Sequence, residues 1–138
     1  MTVTYTIDTN TVSYIVKGNS PAARARLARL QKGEAACISS ITAAEIHFGL
    51  AKKPPSAALR AAIEGFLAKI AILPWGREEA LVYGALRAKQ EAAGKILGNM
   101  DMLIAAHAIS VGARLVTHDT VFQQAEELSA SVNWATDL

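Results

Sequence analysis

The chain has one cysteine, Cys37, so it cannot close a disulfide within itself. The setting Ala-Ala-Cys-Ile reads as a buried strand position, not a nucleophile, and fits a reducing compartment. No apolar run approaches the roughly 20 residues of a membrane-crossing helix. The opening stretch to Thr6 is too polar and too short for the apolar part of a secretory leader. Together these absences lead to the expectation of a soluble, cytoplasmic protein. No glycine-rich fingerprint follows the first strand, which argues against a dinucleotide-binding domain. The three histidines, His47, His107 and His118, make no zinc pattern. There is no internal repeat and no long linker. Charge of one sign is also missing locally. Between Thr9 and Gly33 there is no acid but five bases, and after Arg114 there is no Lys or Arg. The net charge of +2 is too small to imply a polyanionic partner by itself, so only the distribution of charge bears on that question.

What is present suits one folded domain over residues 1–138. Hydrophobic residues make up 51% and charged residues 19%, a composition that buries a core. Strand and helix signals alternate. Val3 to Ile7 reads as a first strand, followed by a short helix that stops at Gly18. Ser20-Pro21 opens a second helix, with serine as cap and proline in the first turn. Ala35 to Ser39 reads as strand two, and Ser40 or Thr42 as cap of the helix carrying Ala43 to Leu50. Lys52-Lys53-Pro54-Pro55 breaks that helix, and Ser56 starts another. Ile70 to Leu73 reads as strand three, Arg77 to Ala93 as a helix and Asp101 to Val111 as the next. Arg114 to Thr117 reads as strand four. Thr120 with Gln123 suggests a capping box for a helix to Leu128. Val132 to Trp134 is the candidate edge strand. This order predicts an α/β fold with a parallel sheet covered on both faces, whose ligands bind at the carboxyl ends of its strands.

Four acids interrupt apolar or small-residue segments: Asp8 after Tyr5-Thr6-Ile7, Glu45 within Ile41 to Ile46, Asp101 before Met102-Leu103-Ile104, and Asp119 after Leu115 to His118. Singly, each has an ordinary reading as turn, cap or exposed helical residue. Together, two lie at strand ends and two on the first turns of flanking helices, so one sheet edge can collect all four. Carboxylates held that close raise one another's pKa, and a divalent cation relieves the repulsion. Oxygen-only ligands favour Mg²⁺ or Mn²⁺ over zinc, and such an ion activates water and stabilises phosphoryl charge.

Four segments resemble the motif blocks of PIN domains, in the family's order: Ile7-Asp8-Thr9-Asn10, Ser39 to Glu45, Gly98 to Ala108, and Leu115 to Asp119. The resemblance covers essentially the whole chain and is closest to VapC-type toxins of toxin-antitoxin pairs. It implies a three-layer α/β/α fold with strand order 3-2-1-4-5. It also implies Mg²⁺- or Mn²⁺-dependent hydrolysis of RNA phosphodiesters, a homodimer, and neutralisation by a VapB-type antitoxin. Asp8, Glu45, Asp101 and Asp119 would be both the catalytic acids and the metal ligands. Trp75, Tyr83-Gly84 and Leu86-Arg87 resemble the subgroup that acts on initiator transfer RNA, which points to transfer RNA and to the initiator's anticodon loop. Two features depart from the pattern: His118 stands where Asn or Arg is usual, and the stretch from Gln123 to Val132 is unlike the common toxin ending. Both leave substrate choice open.

Thr9, Asn10 and Thr117 flank the acids and are candidates to orient the carboxylates and water, with turn and cap chemistry as the competing reading. Arg24, Arg29 and Lys32, on or after the helix that follows Asp8, are candidate RNA-phosphate contacts, against a solvated helix face. Arg87 has two readings, an RNA or antitoxin contact or an ion pair with Glu91 four residues on. His107 is expected to pack or to face solvent, and Trp75 and Trp134 to be core or interface. Two rival functions stand beside the nuclease. One is a phosphatase with an aspartyl nucleophile, which usually carries a second Asp two residues after the first, where this chain has Asn10. The other is a PIN fold that has lost catalysis, against which all four acids are present.

Overall fold

The computed structural model describes residues 3–95 and 97–138. Four short parallel strands form its sheet: β1 (Tyr5–Ile7), β2 (Ala36–Ser39), β3 (Ala71–Leu73) and β4 (Arg114–Val116), in the order β3-β2-β1-β4. Six helices connect and cover them: α1 (Thr9–Lys17), α2 (Pro21–Ala28), α3 (Ser40–Lys52), α4 (Ala57–Lys69), α5 (Arg77–Ala92) and α6 (Asn99–Val111). Every residue of β1 is buried, as expected of a central parallel strand with helices on both faces. Alternation along β4 separates two cores. Leu115 joins Leu86, Leu97, Ile104 and Phe122 in one, and Val116 joins Ile7, Val12, Ile15, Ile38 and Trp134 in the other. Among the described residues no helix is long and apolar enough to cross a membrane.

The helix starts follow from local chemistry. Ser20 accepts from the Ala23 amide at 3.1 Å, with Pro21 in the first turn, and Ser56 accepts from the Leu59 amide at 3.2 Å. Gly18 closes α1 at φ 74°, a left-handed conformation in which side chains are strained. The cap of α3 is Ser39, accepting from Ile41 N–H at 3.1 Å, in place of the expected Ser40 or Thr42. The helix therefore begins directly where β2 ends. Glu45, its sixth residue, stands on the second turn and not the first.

The end of the chain departs further from expectation. After β4, Asp119 rather than Thr120 is the cap, accepting from Val121 N–H at 2.9 Å. Two 3-10 helices, Thr120–Gln124 and Glu126–Leu128, replace the expected α-helix to Leu128. The capping box does not form because Asp119 caps the turn, which makes Thr120 its first residue rather than its cap. The expected fifth strand, Val132 to Trp134, is reduced to one parallel bridge between Val132 and Val116. Two backbone bonds hold it, Val132 N–H to the Leu115 carbonyl and Thr117 N–H to the Val132 carbonyl, each 2.9 Å. The Asn133 side chain then accepts from the Ala135 amide, turning the chain off the sheet so that Trp134 enters the core. The order 3-2-1-4 stands, with a bridge where strand 5 was expected.

Candidate active site

β1 and β4 are parallel neighbours, with Ile7 beside Val116, so Asp8 and the Thr117–Asp119 segment leave the sheet at the same edge. Asp8 is 4% exposed and caps α1, accepting from Thr11 N–H at 2.9 Å. Burial pushes its carboxyl above the usual range, opposed by hydrogen bonds from Thr117 and Thr11 and reinforced by the charge of Asp119. Thr117 serves both acids: its hydroxyl stabilises the Asp8 carboxylate and accepts from Asp119 N–H at 3.0 Å. Thr9 donates its hydroxyl to Glu45 Oε1 at 2.5 Å, tying the first turn of α1 to α3. Asp101, in the first turn of α6, is half-buried. Desolvation raises its pKa, and the charges of Asp119, Asp8 and Glu45 raise it further.

The four acids predicted from sequence thus share one electrostatic site, assembled from β1, α3, α6 and the turn after β4. Thr9 and Thr117 stand among these carboxylates, Thr9 bonded to the Glu45 side chain and Thr117 to the Asp119 amide. Among the described residues no three Asp, Glu, His or Cys side chains form a closed metal-binding group.

The basic run is not at this edge. α1 runs back from Asp8 for nine residues, about 13 Å at 1.5 Å per residue, so α2 begins at the opposite side of the sheet. Arg24 donates through Nε and Nη2 to the Ile15 carbonyl, at 3.2 and 2.7 Å, covering the carboxyl end of α1. Arg26 pairs with Glu34 and lies over the rings of Tyr5 and Trp134. Arg29 closes α2, and Lys32 comes next in the loop toward β2. The expectation that Arg24, Arg29 and Lys32 border the acids therefore fails, because a helix returning antiparallel to its strand cannot keep its successor at the strand's carboxyl end.

Arg87 pairs with Glu91 at 3.6 Å and with the Tyr83 hydroxyl at 3.0 Å, the local reading. Trp75 donates its indole N–H to the Leu103 carbonyl, and Trp134 is buried against Tyr5. His47 is exposed.

His107, read from the sequence as packed or solvent-facing, is packed, and what the sequence did not show is its partner. His107 is 2% exposed, and its Nδ1 shares a 2.7 Å hydrogen bond with the Ser39 hydroxyl, the cap of α3. Nearby, Glu79 accepts from Ser110 Oγ at 2.5 Å and Gly76 N–H at 2.8 Å, and the Ser110 bond leads in holding its pKa low. Burial holds the His107 imidazole below its usual pKa, so the folded state favours the neutral ring. The folded protein then binds fewer protons here than the unfolded chain. Stability is full above pH ~6.5 and declines as pH falls through that value toward the folded pKa. We expect thermal midpoints to fall between pH ~7 and ~5 in the wild type and to fall less in His107→Gln. Parallel profiles for the two proteins would remove His107 from the acid response.

A PIN-domain family model matches residues 5–128, and the chain belongs to the PIN-domain family. It is 34% identical over 115 residues to Ribonuclease VapC2 of Rickettsia felis, covering 83% of this chain and 86% of that one. It is also 34% identical over 116 residues to the tRNA(fMet)-specific endonuclease VapC of Shigella flexneri, covering 84% and 86%. Among solved structures it is similar to VapBC2 from Rickettsia felis bound to a DNA fragment from their promoter. The TM-score there is 0.87 at 32% identity, over 96% of this chain and 98% of that one.

Proposed function

We propose that the chain is a divalent-metal-dependent endoribonuclease, the toxin of a toxin-antitoxin pair. The observation that carries this reading is the convergence of Asp8, Glu45, Asp101 and Asp119 on one edge, where burial and then the charges of the other three raise the pKa of Asp101. That donor set, all hard oxygen with Asp8 buried and Asp101 partly so, fits Mg²⁺ or Mn²⁺. When bound, the ion supplies an acidified water and charge neutralisation at phosphorus. Asp8 and Asp101 would hold it mainly, with Glu45 and Asp119 direct or through water. Thr9 holds the Glu45 carboxylate through its hydroxyl, and Thr117 favours the charged form of Asp8. Asn10 stands exposed at the rim. Attack by water leaves a 5′-phosphate and a 3′-hydroxyl and does not use the ribose 2′-hydroxyl.

The names of the relatives support RNA as substrate, and that of the Shigella flexneri protein supports transfer RNA, with the initiator's anticodon loop as the first site to test. The decisive experiment is brief expression of wild type and Asp8→Asn, followed by mapping of cleaved RNA ends and their end groups. Wild-type-only ends carrying 5′-phosphate support the proposal. A 2′,3′-cyclic phosphate would overturn the mechanism, and identical end maps from the two proteins would overturn the enzyme.

The partner reading has its own observation. A groove of about 450 Å³ runs between α1, α3 and α4. Val16, Ile46, Leu50, Ile63 and Phe66 line it, and Thr9, Asn10 and Glu45 stand at its acidic end. An apolar trough ending on carboxylates suits an amphipathic antitoxin segment that brings a basic side chain to the acids, in keeping with the likeness to VapBC2 from Rickettsia felis. We expect Leu50→Glu to weaken the complex tenfold or more while leaving metal binding unchanged. Co-purification of the pair from its operon reads this, and wild-type recovery of the complex would move the interface elsewhere. A homodimer is proposed as well, consistent with the exposed Phe48 and Leu81, and sedimentation tests it.

A further inference from the structure

Beside the acids, meeting the apolar groove at Asn10, lies a second and smaller cleft of about 260 Å³. Asn10, Tyr14, His118, Asp119 and Thr120 line it. Asp119 belongs to both the cleft and the carboxylate edge, so whatever enters the cleft lies against the candidate reaction centre. The lining is not that of an ion site. Two rings stand there, Tyr14 and His118, with centroids 6.0 Å apart and planes at 89°. In this perpendicular arrangement the rings spend an edge on a face and leave further ring surface for a flat ligand. Both side chains are half-buried, which holds their planes in place at little further entropic cost. His118 Nδ1 and the Asn133 amide nitrogen lie 3.2 Å apart, fixing the imidazole from the segment bridged to β4. Around the rings stand an amide that both donates and accepts, Asn10, and a hydroxyl, Thr120, both exposed. Ring surface for stacking, flanked by an adaptable donor–acceptor pair, is the chemistry that binds an unstacked nucleobase.

We infer that this cleft is a nucleobase subsite, in which His118 stacks an unpaired base beside the candidate reaction centre, Tyr14 meets that base edge-on and Asn10 reads its edge. The inference rests on the ribonuclease proposal and adds to it where base choice is made. It gives His118 a role in selecting substrate rather than in catalysis. Asn10 lines both this cleft and the apolar groove, so a partner seated in the groove ends beside the base.

The test is RNA binding by the Asp8→Asn protein, which holds cleavage off, using four hairpins that differ only in one unpaired loop base. Adding His118→Ala is expected to weaken the preferred hairpin about tenfold or more and to bring the four affinities together. His118→Phe, which keeps a ring, is expected to restore most of the affinity. Tyr14→Leu gives a second variant, and Mn²⁺ affinity by calorimetry, measured with Asp8 in place, is expected to stay unchanged in all three. If His118→Ala leaves all four affinities and their ratios as they were, the subsite is refuted, whatever the wild type cleaves. If binding responds as expected but the wild type cuts no RNA, the nuclease reading falls and the base subsite stands. If the Asp8→Asn protein binds no hairpin, both fall.

Discussion

Asp8→Asn is expected to lower RNA cleavage by about two orders of magnitude or more and, without metal, to raise the thermal midpoint. The two effects have one cause. Asp8 is buried beside Asp119, and its charge is opposed first by desolvation and then by its neighbour. Asparagine removes that charge, and it caps a helix about as well as aspartate, so α1 keeps its bond to Thr11 N–H. A more stable, inactive protein separates a functional carboxylate from a structural one, since losing a structural cap or ion pair lowers stability. Asp101→Asn is expected to show the same pattern, because desolvation and then the charges of Asp119, Asp8 and Glu45 oppose its ionisation. Adding Mg²⁺ or Mn²⁺ should raise the wild-type midpoint, and do so much less in either variant. A variant that melts lower than wild type and still cleaves would mean that Asp8 is a cap and nothing more.

Phe122→Ala is expected to cost about 3–5 kcal/mol, a large share of the roughly 5–15 kcal/mol that holds a domain of this size. Phe122 is 1% exposed and packs with Leu86, Ile104, Leu115 and Leu128. It sits in the first 3-10 helix, three residues beyond Asp119, whose carboxylate caps that turn at Val121. The cavity therefore opens under Asp119, the acid carried by the turn after β4. Urea unfolding should show the lower midpoint. Calorimetry at a temperature where the variant stays folded should show weaker Mn²⁺ binding, because the Asp119 turn loosens before the rest. A cost below about 1 kcal/mol would mean that the C-terminal turns contribute little to the core.

The acids were legible because each stands out against its own segment. A carboxylate after Tyr-Thr-Ile or before Met-Leu-Ile is conspicuous in any window, and the motif order supplied the rest. The basic helix misled for the opposite reason. Arg24, Arg26 and Arg29 come soon after Asp8 in sequence, but α1 carries the chain to the other edge, where Arg24 binds the Ile15 carbonyl. Closeness in sequence reports position on a sheet only within one element. The end of the chain misled because Thr120 and Gln123 satisfy a capping pattern that Asp119, one residue earlier, takes over. Local rules cannot rank two competing caps without the geometry of the turn.

The sequence alone determined the alternation of strands and helices and the burial of Cys37. These depend on periodicity, local capping and residue type, which act over a few residues. Only the tertiary structure decided which residues distant in sequence meet. Ser39 and His107 lie 68 residues apart, Thr9 and Glu45 36 apart, and Tyr14 meets His118 across the whole βα succession. Such pairs arise from parallel strand order and helix packing, where each residue's neighbour is set by a crossover that no local pattern encodes.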